Sequence, residues 1–131
     1  MNDEIRTWLH YAEENLKVSG MCLKSGLLNP CLQNAQQAVE KTLKALCVAH
    51  GVPLKRTHSI SELRGDLLNK GVNTELSDEE CELLDSIYLP SKYPLGSALP
   101  DFEPTPDVAT HCLSLAERVF AEARGKIILV K

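Results

Sequence analysis

Gln37, Lys41 and Lys44 follow one another at i, i+4 and i+7, a spacing that sets an amide and two ammonium groups along one side of a helix. Lys55, Arg56 and His58 come soon after, and Lys92-Tyr93 places a cation beside a ring further along. Clustered cations with hydrogen-bonding or stacking neighbours can hold a phosphate. Gln37, Lys41, Lys44, Arg56, His58, Lys92 and Tyr93 are therefore the candidate ligand-binding residues, with Lys55 beside them. The competing reading is that the lysine stripe is the solvated face of a central helix, the commoner fate of such a stripe. His58, directly before Ser59, can meet an anion at a helix N-terminus, or pack on a neighbouring helix with one nitrogen bonded to a carbonyl. Tyr88 and Tyr93 can stack on a base or sit half-buried with their hydroxyls at the surface.

Other chemistries find less to work with. The chain has no glycine-rich phosphate loop, no HExxH and no other metal-ligand spacing, so no metal or cofactor is expected. Cys22, Cys31, Cys47, Cys81 and Cys112 are odd in number and form no CxxC pair, and none has a His or Lys partner at catalytic spacing. Free thiols in a reducing cytoplasm account for them. Asp3 and Glu4 stand where a signal peptide would be cationic, and no apolar run approaches the length of a membrane span, so the expectation is a cytoplasmic protein without a membrane partner.

A chain of 131 residues suits one domain over 1–131. Aromatic residues make up only 5%, so the core must be built from Leu, Ala, Val and Ile, which favours packed helices over a β-sandwich. The net charge of −4 excludes a globally cationic nucleic-acid binder. It is unevenly spread: residues 1–58 carry +2 and residues 59–131 carry −6, so an anion site would draw on the first part.

The elements that must position these residues are helices. Ile5, Leu9, Ala12, Leu16, Ser19/Gly20 and Leu23 recur at threes and fours and predict a first helix over 3–24, ended at Gly26. Asn29 as N-cap and Pro30 at the first helical position predict a central second helix over 30–50, ended by Gly51 and Pro53. Ser59-Ile60-Ser61-Glu62 and Ser77-Asp78-Glu79-Glu80 fit capping boxes for helices over 59–70, with Gly71 as its stop, and 77–89, with Cys81, Leu84 and Tyr88 inward. From Pro90 to Pro106 five prolines and one glycine argue against any regular helix. Thr105-Pro106-Asp107 then opens a helix over 106–124 with Val108, Cys112, Leu115/Ala116 and Val119 inward, and 126–131 reads as a docked end or an oligomer contact. The fold class is all-α: an antiparallel up-and-down bundle of about five helices.

QNAQQAVEKTLKAL at 33–46, HGVPLKRTHSISEL at 50–63 and YLPSKYP at 88–94, with WLHYAEENL at 8–16, resemble the HEPN domain (higher eukaryotes and prokaryotes nucleotide-binding) over nearly the whole chain. The resemblance implies a helical bundle that commonly forms a homodimer. It also implies a small nucleotidyltransferase as partner, often in a toxin–antitoxin pair, with nucleotide or RNA as ligand. Active members are metal-independent ribonucleases with an Arg, four to six intervening residues and a His. Here no Arg precedes a His at that spacing: Arg6 and His10 have three residues between them, and the family's Arg-Tyr-Pro is Lys92-Tyr93-Pro94, with no His in the residues that follow it. Lys92 keeps the charge but not the planar two-pronged grip, and nothing nearby supplies a proton-transfer group. Catalytic residues are thus unassigned, and a binding domain without the ribonuclease motif is the leading expectation. A ribonuclease with a diverged site, using Lys92 or the Arg6/His10 pair with His58, is the alternative, and a structural adaptor is the third.

Overall fold

The computed structural model describes residues 2–92 and 104–129. Its five helices are α1 (Asp3–Lys24), α2 (Leu28–Ala49), α3 (Ile60–Asn69), α4 (Asp78–Lys92) and α5 (Pro106–Leu129), and no strand occurs among the described residues. α2 is the centre. It packs on all four other helices, while α1 also meets α5 and α3 also meets α4. This is the expected helical bundle, with its core made of Leu, Ile, Val, Ala and Cys side chains.

The predicted stops hold for a common reason. Gly51 takes φ 70° and Gly71 φ 78°, the left-handed conformation that costs glycine least, and each lets the next residue turn back on its helix. The Val52 N–H reaches the Cys47 carbonyl at 2.8 Å and the Val72 N–H reaches the Leu67 carbonyl at 2.9 Å, while both valines are buried. α1 ends in the same way at Gly26, with the Leu27 N–H on the Cys22 carbonyl at 2.8 Å. That ending feeds the chain straight into α2, which starts at Leu28, ahead of the predicted start, with no side-chain cap. Asn29 is therefore not the N-cap. Pro30 falls in the first turn, where its missing N–H would have had no carbonyl to meet.

At α4 the capping box is complete: the Glu80 N–H donates to Ser77 Oγ at 3.0 Å and the Ser77 N–H donates to Glu80 Oε1 at 2.9 Å. At α3 it is only half formed. The Glu62 N–H reaches Ser59 Oγ at 3.2 Å, but the Ser59 N–H turns to Thr57 Oγ1 at 3.0 Å. The N-terminus of α3 is capped instead from α4. Asp85 Oδ1 accepts from the Ile60 N–H at 2.6 Å, and Asp85 Oδ2 accepts from the Ser61 N–H at 3.2 Å and from Ser61 Oγ at 2.8 Å. A carboxylate at this positive helix end satisfies orphan donors and ties two helices together.

Three further expectations change. α4 runs on to Lys92 through Pro90, because a proline near a helix end removes a single donor without stopping the last turn. α5 continues through Gly125 to Leu129, so the described part of the tail is helix, docked in the core by Ile127. Ile87, not Tyr88, is the inward residue beside Leu84, and Ala109 replaces Val108 as the first buried residue of α5.

Replacing Asp85 with Ala is expected to cost about 1–2 kcal/mol in urea unfolding, with Asp85→Asn intermediate, because the α3 donors lose their charged acceptor. Burial pushes the thiols of Cys47, Cys81 and Cys112 up from 9.0 to about 11. The folded chain holds these protons more tightly than the unfolded chain, so their stabilising share is full below pH 9 and lost as pH rises toward about 11. At pH 8 a thiol reagent should modify half-buried Cys22 and spare these three until the protein is unfolded.

Candidate functional site

α2 is so enclosed that 12 of its 22 residues are buried, and polar groups are caught among them. Gln36 and Thr42 are fully buried and Glu40 is 3% exposed. Thr42 bonds its own helix, Oγ1 to the Ala38 carbonyl at 2.7 Å. Glu40 has no such local answer. A carboxylate out of water needs donors, and two side chains reach it: Lys44 Nζ at 3.0 Å from Oε2, and His58 Nδ1 at 3.1 Å from Oε1 and 3.3 Å from Oε2.

This arrangement fixes His58. A carboxylate offers only lone pairs, so Nδ1 carries the hydrogen and Nε2 remains for another partner. The ring lies flat on Tyr88 of α4, with centroids 4.8 Å apart and planes 14° apart, and its side chain is 56% exposed. Gln36 Nε2 donates to the His58 carbonyl at 3.3 Å, and Gln37 Nε2 donates to Gln36 Oε1 at 2.9 Å. His58 thus bonds a buried carboxylate, where packing with one nitrogen on a carbonyl was the alternative from sequence. The α3 N-terminus beside it already holds Asp85, so His58 does not sit at an open helix end.

The seven candidates separate into groups. Gln37, Lys44 and His58 join the network around Glu40. Lys41 points to α1, where Nζ donates to Asn15 Oδ1 at 2.8 Å and lies 5.8 Å from the Tyr11 ring centre. Lys44 Nζ also lies 5.4 Å from the centre of half-buried Trp8. Arg56 is exposed, with no ion pair or hydrogen bond among the described residues. Lys92 ends α4, and Tyr93 lies outside the described residues. Lys55 is held by Asp66 at 3.1 Å. Among the described residues no group of three or more His, Cys, Asp or Glu side chains is arranged to hold a metal.

Neither Glu40 nor Gln36 is among the residues that the sequence singles out on α2. The signal was present, since Gln36 follows Leu32 by four, Glu40 follows Gln36 by four and Leu43 follows Glu40 by three, which continues an inward row. The absence of a proton-transfer group near the 88–94 segment also needs correction. His58 is remote from it in sequence, but the stack on Tyr88 brings an imidazole to α4 four residues before Lys92. The Arg6/His10 pair does not join this cluster. Those side chains line a separate groove between α1 and α5.

Lys44→Met should strand the buried Glu40 carboxylate and cost about 3 kcal/mol in chemical unfolding, while Glu40→Gln with Lys44→Met should recover most of that loss. Additive costs in the double variant would contradict a coupled pair.

Comparison with known proteins now places the fold. The HEPN domain family matches residues 5–126. The crystal structure of TT1696 from Thermus thermophilus is 30% identical and superposes with a TM-score of 0.76, covering 95% of this chain and 99% of that one. ST0689, an archaeal HEPN homologue, is 24% identical with a TM-score of 0.64, covering 94% of this chain and 97% of that one, a likeness of fold. No curated protein matches the chain. Among the described residues no helix is long and apolar enough to cross a membrane. On the family match and the shared bundle, this chain belongs to the HEPN domain family.

Proposed function

We propose that this HEPN domain is a nucleotide- or RNA-binding module, working as a homodimer with a small nucleotidyltransferase in a toxin–antitoxin type of pair, and lacking an intact ribonuclease motif. The observation that carries the reading is the Glu40-anchored His58 stacked on Tyr88, an imidazole–phenol platform beside the middle of α2 and close to the exposed Arg56 in sequence. Flat rings take a base by stacking, and cations close by take its phosphate. Lys92 and Tyr93, which follow Tyr88 in sequence, are the further candidates for holding the phosphate. Lys44 contributes less charge than its sequence position suggests, because Glu40 neutralises it.

One observation favours a second reading, the ribonuclease with a diverged site. A carboxylate-held imidazole with Nε2 free can accept or deliver a proton at a 2′-hydroxyl, and Lys92 would then hold the scissile phosphate. Against it stands that, among the described residues, His58 alone brings an imidazole to Tyr88, so that one ring would have to serve as both base and acid.

Binding of ATP and of a short single-stranded RNA to the purified domain should weaken steeply from low to high salt, and Arg56→Gln should weaken it several-fold without changing thermal stability. Affinity indifferent to salt and to Arg56→Gln would sink the reading. RNA cleavage that is lost in both His58→Ala and Lys92→Ala would move the assignment to the second reading.

A further inference from the structure

α1 and α5 enclose a groove that the His58–Tyr88 platform leaves unused. On α1 its wall is Arg6, Leu9, His10 and Glu13; on α5 it is Phe120 and Arg124. These positions follow helical spacing on both sides, i, i+3, i+4 and i+7 on α1 and i, i+4 on α5, so two adjoining rows frame one hollow. Its floor is apolar, with buried Leu9 and half-buried Phe120. Its volume is about 190 Å³, below the roughly 300 Å³ at which drug-sized ligands begin to be held, which suits a small ligand.

The polar groups around the floor are poorly matched to one another. Arg124 is exposed and makes no ion pair or hydrogen bond among the described residues. Among the described residues Arg6 meets only Asp3, at 3.5 Å, with both side chains in water, and His10 lies 3.8 Å from Glu14. Two guanidinium groups from different helices can each grip an oxyanion with two N–H donors, and the imidazole adds a third source. That set suits a dianion. Glu13 acts in the opposite sense, repelling a bare anion and accepting from a hydroxyl carried beside it.

We propose that the α1/α5 groove binds a small hydroxylated phosphate monoester, its phosphate held by Arg6 and Arg124 with His10, and a hydroxyl held by Glu13. The site is separate from the His58–Tyr88 platform, whose residues do not line it. The ligand can be a free sugar phosphate or the ribose phosphate of a mononucleotide, because both present the same chemistry.

The test is an NMR titration of the folded domain at constant ionic strength with ribose 5-phosphate, AMP, inorganic phosphate and acetate, reading the side-chain N–H signals of Arg6 and Arg124. Ribose 5-phosphate should shift both signals saturably and acetate should not. Arg124→Gln, at an exposed position, should weaken binding about tenfold or more, and Glu13→Gln should erase the preference for ribose 5-phosphate over inorganic phosphate. AMP as tight as ribose 5-phosphate assigns the mononucleotide, and weaker AMP assigns the free sugar phosphate; both uphold the site. His58→Ala should leave the titration unchanged, so failure of the platform does not touch this result. Absence of saturable shifts, equal affinity in Arg124→Gln, a preference that persists in Glu13→Gln, or loss of binding in His58→Ala would overturn the proposal.

Discussion

A carboxylate enclosed in a helical bundle must be answered, and the answer to Glu40 organises one side of this molecule. α2 packs on every other helix, so its residues have little water to turn to. Lys44 neutralises Glu40 from one turn along the same helix, and His58 reaches in from the α2–α3 connection. The second contact has the wider effect. It fixes the path of the connection, orients the imidazole and lays its ring on Tyr88, so that one buried charge links α2, the connection and α4. Asp85 does the complementary task a short way off, where an acid from α4 caps α3. Two acids thus lock the corner at which α2, α3 and α4 meet.

Much of the bundle was legible because helix ends are decided locally. Gly51 and Gly71 announce their stops through a conformation other residues avoid, and Ser77 with Glu80 announces a start through reciprocal bonds three residues apart. The apolar stripe on α1 was equally plain. What escaped was set by partners far along the chain. Ser59 with Glu62 looked like a self-sufficient cap, yet the acid that completes α3 is Asp85. Glu40 continues an inward row with Leu32, Gln36 and Leu43, but its charge and its neighbours Gln37 and Lys41 mask that row in the sequence. The ends expected at 89 and 124 fell short for a related reason, since a breaker such as Pro90 loses its effect near a helix end and a helix runs on where a later residue such as Ile127 docks.

The candidate site was read with similar unevenness. The sequence brought out the basic residues around α2 as a group, whereas the fold divides them by what they meet. Lys44 is tied to Glu40, Lys55 to Asp66 and Lys41 to Asn15, and Arg56 stands in solvent. A cluster of positive letters is therefore a weaker field than its count suggests, and aromatic support matters correspondingly more. Trp8, Tyr11 and Tyr88 each lie against one of these cations or the imidazole. None of the three ring contacts follows from local spacing, because each joins residues from different elements.

The cap that Asp85 places on α3 has a kinetic meaning. α1 and α2 form a hairpin from near neighbours in sequence, a contact pattern that folds early and fast. The start of α3 must wait for an acid that lies a full helix and a loop downstream, and His58 must wait for Tyr88 in the same element. On a chain emerging from the ribosome the hairpin can therefore consolidate while Glu40 still lacks its ordered imidazole. The platform matures only when α4 docks, which makes its assembly a late event that reports on the completeness of the fold.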